Sequence, residues 1–223
     1  MYNMVFCVVT DGSVDEINSL PECDMAVFGF GVLGEVDYEK ELKGETEKFE
    51  EAARLSKKSN CGLVCGCKTL SRGLLRKSAS VADRGKLLGI SDMTHVLDSE
   101  EYKSGSALGF YKVNGFKVGL CIENDLLFPD TFKSLTMCGC NVIVVLLEEI
   151  RDNIPPLLAR AYSYLYGVPI IMSAGKTAYF ADISGAIATS TQNLTMFEVS
   201  PQNRYHLVTT RAKGISGESR MDY

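Results

Sequence analysis

The chain has 223 residues, 46% of them apolar and 23% charged, with a formal net charge of −5 at neutral pH. That length supports one sizeable core, so one domain spanning 1–223 is expected, and the scattered lysines and arginines form no basic stripe of the kind a nucleic-acid partner requires. Apolar runs such as 142–147 are far too short to cross a bilayer, and the opening residues lack the charge-then-apolar order of a secretory leader, so no membrane association and a cytoplasmic location are expected.

Short, β-branched apolar segments predict strands at 4–10, 25–30, 62–68, 74–83, 86–90, 107–113 and 116–122, then at 142–147, 169–174, 178–181, 186–191, 193–199 and 205–210. Between them, 38–58 reads as a helix whose apolar stripe is Phe49, Ala52, Ala53 and Leu55 among Glu and Lys. A second helix is predicted to start at Pro129, a residue suited to the first helical turn, and a third covers 155–166. Val113-Asn-Gly-Phe116 and Asp182-Ile-Ser-Gly185 carry hairpin turns. Strand-helix alternation at the front, with hairpins in the middle and at the end, predicts a layered α/β fold with mixed strand pairing.

Of the eight cysteines, Cys61, Cys65 and Cys67 fall at even spacing in a predicted strand and are expected to line one sheet face as small apolar groups. The other close pair, Cys138 and Cys140, does not complete a zinc pattern, and the chain is long enough to fold without disulfides; no metal and no cofactor are expected.

The stretch Gly119-Leu-Cys-Ile-Glu-Asn-Asp-Leu-Leu-Phe-Pro-Asp130 runs from a buried strand into a helix. It resembles the strand-to-elbow motif of the nitrilase, or carbon-nitrogen hydrolase, superfamily, roughly G-x-x-I-C-Y-D-x-x-F-P-E, with Glu123 in the place of the catalytic cysteine. Asp24-Met-Ala-Val-Phe28 is similar to the D-x-V-V-F strand that leads to the general base, but Phe30 stands where that glutamate would be, and Glu22 precedes the strand, at its opposite end. The segment ending Met93-Thr-His95 is similar to R-K-x-H-L, with Met93 at the lysine and His95 at the histidine, and Glu101-Tyr-Lys-Ser-Gly105 matches the E-x-Y-x-x-G that follows. Cys138 to Ile143 and Gly167 to Ile171 resemble later strands, while Arg160 to Tyr166 resembles a helix that has lost its Glu-Asn pair. The resemblance implies an α-β-β-α sandwich.

It also implies lost chemistry. Phe30 carries no proton, Met93 offers no charge to an oxyanion, and a carboxylate attacks an amide far less readily than a thiolate. The expectation is a pseudoenzyme acting as a homodimer or larger homo-oligomer, with Tyr162, Tyr164 and Tyr166 as either interface or packing residues. A small amine or amide is the ligand class considered, with Glu123, Asn124 and His95 as candidate contacts. The alternative is an amide hydrolase with a rearranged site, using Cys121, which is expected to project to the same face as Glu123. Glu123 itself needs either donors from the helix start near Pro129, or Arg160, or a retained proton.

Overall fold

In the computed structural model, the described residues are 3–12, 14, 17, 19–97, 101–200, 204–206 and 210–212. All the strands but the last two form two mixed sheets. The first has the order β13-β1-β2-β4-β5-β6, with β3 also paired to β4; these are β1 (Met4–Val9), β2 (Met25–Phe28), β3 (Glu35–Asp37), β4 (Gly62–Ser71), β5 (Leu74–Asp83), β6 (Lys86–Asp92) and β13 (Leu194–Val199). The second has the order β12-β11-β10-β9-β8-β7, built from β7 (Phe110–Val113), β8 (Phe116–Ile122), β9 (Val142–Leu147), β10 (Ile170–Ala174), β11 (Thr177–Ala181) and β12 (Ile187–Ser190). In both sheets the central strands are parallel (β1, β2, β4 and β8, β9, β10) and the flanking ones antiparallel, except β3, which runs parallel to β4.

Side-chain alternation then builds the layers. Val142, Val144 and Leu146 of β9 face the first sheet, where Phe6, Val8, Met25, Val27 and Val64 meet them in a core between the sheets. Ile143, Val145 and Leu147 face the other way, against α3 (Pro129–Met137) and α4 (Ile154–Tyr166) through Phe132, Leu135, Ala159 and Tyr162. A strand buried on both faces has no polar side to show, which is why 142–147 reads as an unbroken apolar run. On the far side of the first sheet, Phe49, Ala52, Ala53 and Leu55 of α2 (Lys48–Lys58) join Cys61, Cys65 and Cys67 of β4 in a second core, which extends to Cys7 of β1. The result is the expected α-β-β-α sandwich, and the evenly spaced cysteines do share one face.

Three differences from the sequence reading have local causes. The helix expected over 38–58 is two: Asp37 caps α1 (Tyr38–Lys43) by accepting from the Glu39 and Lys40 N–H groups, and Gly44 at φ 70° ends it with a left-handed residue before α2 begins. A short strand, β3, was hidden in the loop before α1 because only Val36 of its three residues is buried. The strand expected over 205–210 is instead a pair, β14 (Arg204–His206) with β15 (Thr210–Ala212), and 207–209 lie outside the described residues. Both hairpins are where the turn residues place them; Asn114 (φ 52°) and Gly115 (φ 86°) join β7 to β8.

Candidate functional site

Parallel strands in the two sheets end at the same end of the sandwich, and the segments leaving those ends converge. Two of them come from the first sheet's partner: β8 leads into a 3-10 turn, Glu123–Leu127, and β9 leads into a loop that starts with Glu148. Among the described residues, five non-glycines have positive φ: Asn60, Arg72, Arg84, Asn114 and Glu123. Asn60 follows a helix, and Arg72, Arg84 and Asn114 each precede a glycine in a two-residue hairpin turn, where such angles are ordinary. Glu123, at φ 50°, is in no such turn. Left-handed backbone at a strand-to-helix elbow is strain of about 1 kcal/mol or more, retained where the surroundings hold one side chain in one direction.

That direction departs from the strand's alternation. Cys121, two residues earlier, is fully buried with Leu126, Phe132 and Leu135 beneath the helices, whereas the Glu123 carboxylate turns toward the first sheet. The shared face expected for the two residues therefore does not exist, because the φ change at Glu123 breaks the period of two. Burial pushes the Cys121 thiol well above its ordinary range, helped by the charges of Asp125 and Glu123, which leaves little thiolate at neutral pH.

Glu123 Oε1 accepts the backbone N–H of Glu148 at 2.6 Å and lies 3.5 Å from the Lys77 ammonium. Lys77 projects from β5, and its Nζ is also 3.4 Å from Glu148 Oε2 and 5.1 Å from the centre of the Tyr102 ring. Glu148 Oε1 is 2.9 Å from Lys68 Nζ on β4. Two lysines from one sheet and two glutamates from the other thus form a neutral lattice that ties the sheets together. Burial raises the Glu123 carboxyl above its usual range, and the Lys77 charge and the Glu148 N–H only partly counter it. At Glu148 burial acts in the same sense but is outweighed by the hydrogen bond and charge of Lys68, with Lys77 adding to them, and the net direction is down. Neither Arg160 nor the helix start at Pro129 supplies Glu123's partner, as the sequence had suggested. Arg160 lies on the outer face of α4, beside a cavity of about 410 Å³.

Met93 is completely buried in the core between the sheets, where Phe30 also packs, and the Met93 N–H donates to the Lys77 carbonyl at 2.8 Å. The two positions are filled with apolar side chains, and the cation at this end of the molecule comes from the neighbouring strand. Phe30 follows a backbone crossing so tight that a Cβ on Gly66 would come within 2.9 Å of the Phe30 nitrogen, so Gly66 is required there. Asn124 is half-buried in the 3-10 turn. Glu22 lies before β2, lining a polar cavity of about 420 Å³ with Asp24, Arg84 and Asn114 at the strand starts, the end opposite to Glu123.

Asp125 organises the elbow. It is 2% exposed and accepts from Thr94 N–H (3.0 Å), Thr94 Oγ1 (2.6 Å), His95 N–H (2.8 Å) and His95 Nδ1 (2.8 Å). A carboxylate only accepts, so His95 carries its proton on Nδ1. The His95 ring stacks on Phe128 at 3.8 Å, which fixes the segment after β6 against the turn after β8. His95 is thereby a fastening of the elbow, one-third exposed at its side chain.

No protein-family model matches the sequence, and no curated protein matches it either. Solved structures do match in fold. Nit3 of Saccharomyces cerevisiae, a member of branch 10 of the nitrilase superfamily, superposes with a TM-score of 0.73 at 13% identity, covering 89% of this chain and 90% of Nit3. The NitN amidase of Nesterenkonia sp. AN1 gives 0.69 at 12% identity over 88% and 92% of the two chains. A carbon-nitrogen hydrolase from Helicobacter pylori G27 gives 0.67 at 15% identity over 88% of each. The chain has the fold of the nitrilase superfamily. In another structure of the Nesterenkonia amidase, acrylamide is added to that enzyme's active-site cysteine.

Proposed function

We propose that this chain is a non-catalytic protein on the nitrilase fold, acting through self-association and small-ligand binding. The observation that carries this is the Glu123 carboxylate on a strained elbow, held by Lys77 and the Glu148 N–H, with Phe30 and Met93 packed as core. A carboxylate already paired with an ammonium is a poor nucleophile, and the nearest thiol, Cys121, is sealed under the helices on the other face of its sheet. An amine ligand of Glu123 is disfavoured on the same grounds, since Lys77 already supplies the cation.

Incubation of the protein with acetamide, propionamide and glutamine is expected to release no ammonia above buffer. Measured turnover that disappears in Cys121→Ser would establish instead the hydrolase with a rearranged site.

Self-association is supported by the outer face of α4. Tyr162 is turned inward, its ring 4.4 Å from that of Phe132, so of the three tyrosines this one takes the packing role. Leu157 and Leu165 are 59% and 55% exposed and flank Arg160, Ala161 and Tyr164 on that face. Two exposed leucines a helical repeat apart on one face support the reading of this face as the one that docks a second copy. In sedimentation at micromolar concentration the wild type is expected to run as a dimer and the Leu157→Glu, Leu165→Glu double variant as a monomer; a monomeric wild type would sink this part of the reading.

A further inference from the structure

Lys68 and Lys77 are direct cross-strand partners in the β4–β5 pair, so two like charges stand opposite each other on one sheet. Such a pair is destabilising unless an anion lies between the charges. Of these two lysines Glu123 pairs with Lys77, from the inner side. The anion between the two is the Glu148 carboxylate, one oxygen to each lysine at 2.9 and 3.4 Å. Its exposure is the informative quantity. The Glu148 side chain is 42% exposed, against 33% for Lys68 and 12% for Lys77, so the occupant sits on the solvent side of the groups that hold it. It can swing outward without opening the core, leaving both ammonium groups and the Tyr102 ring in place.

We propose that the Lys68–Lys77 pair is a binding seat for a small monocarboxylate, which enters by displacing the Glu148 side chain that occupies the seat in the free protein. Charge selects the class. With Glu123 already set against one of the two positive charges, a single negative charge restores neutrality, and the protein's own occupant is a carboxylate; a phosphate dianion would leave the site overcharged. Tyr102 beside Lys77 offers an aromatic wall for an aliphatic tail. The seat rests on the non-catalytic reading of the elbow and adds a ligand class to it. The two fail separately, because amide turnover by the wild type overturns that reading, while a folded, open seat that binds nothing overturns this one.

The test is a ligand-observed NMR titration with butyrate, and with butyramide as the uncharged control, at ionic strength held constant with NaCl. Glu148→Ala is expected to bind butyrate at least ten-fold more tightly than the wild type, because the competing side chain is gone, while its backbone N–H to Glu123 remains. Lys68→Met in the Glu148→Ala background is expected to lose at least ten-fold, and butyramide is expected not to bind. A Glu148→Ala protein that melts cooperatively yet shows no butyrate binding overturns the proposal. So does binding that survives Lys68→Met, or that butyramide reproduces. Should Glu148→Ala not fold, Glu148→Gln keeps the shape without the charge and is expected to show tighter butyrate binding than the wild type; no gain there counts as the same negative.

Discussion

Replacing Asp125 with alanine is expected to lower the unfolding free energy by about 3–5 kcal/mol, the largest loss available from a single polar side chain at the elbow. The substitution removes one acceptor group and strands several donors at once: the N–H groups of Thr94 and His95, the Thr94 hydroxyl and His95 Nδ1 all converge on it. Because Asp125 is 2% exposed, water cannot replace it without the turn opening. Asp125→Asn keeps one acceptor oxygen and is expected to cost roughly half as much. Urea unfolding followed by circular dichroism measures both; a loss below about 1 kcal/mol in the alanine variant would mean that the elbow is held by its apolar packing rather than by this carboxylate.

The second large effect is at Lys77. Lys77→Met is expected to cost about 3 kcal/mol at pH 7.5, because it leaves the Glu123 carboxylate desolvated and without its cation. The loss should shrink by about half or more at pH 5. Burial already holds the Glu123 carboxyl above its usual range in the folded state, with Lys77 pulling it partly back, so removing Lys77 raises it further. A carboxyl raised on folding binds more protons in the folded than in the unfolded state; its contribution is complete below the unfolded value and is lost as pH rises through the folded one. The variant therefore recovers relative to the wild type as pH falls. Equal losses at the two pH values would show that Lys77 acts through its aliphatic stem and Tyr102 rather than through charge. The combined Lys77→Met, Glu123→Gln variant is expected to regain most of the deficit at pH 7.5, since no uncompensated charge remains.

The fold was legible at strand starts that follow a two-residue turn, whereas β4, expected over 62–68, runs on to Ser71 at the Arg72–Gly73 turn. Residues 74–83 and 116–122 are bounded by Arg72–Gly73, Arg84–Gly85 and Asn114–Gly115, and their observed limits match the expected ones. Where the chain stayed polar and helix-prone through a break, as at Gly44, the pattern could not show the interruption. The elbow was legible for a different reason: Gly119, Ile122, Asp125, Phe128 and Pro129 each have a backbone or packing role that ties residue type to position. Its electrostatics were not. The motif places its lysine at the position of Met93, on the segment after β6, whereas the ammonium beside Glu123 arrives from β5, one strand away in the sheet. One signal was present: the Arg72–Gly73 turn pairs Ser71 with Leu74, which sets Lys68 opposite Lys77. Glu148 had no such signal, because nothing in an apolar strand specifies where the first polar residue beyond it will point.

The layer of thiols under α2 has a consequence for following this molecule in motion. Cys61, Cys65 and Cys67 of β4 are all buried on the face that helix covers, and burial raises the Cys65 thiol well above its ordinary range and pushes the Cys67 thiol up to about 12, so in the closed state these thiols are both shielded and protonated. A soluble alkylating reagent reaches them only during excursions in which the helix lifts from its sheet, and the labelling rate then counts those excursions. The native chain thus carries its own gauge of how often its outermost layer detaches, independent of anything that happens at the elbow on the other sheet.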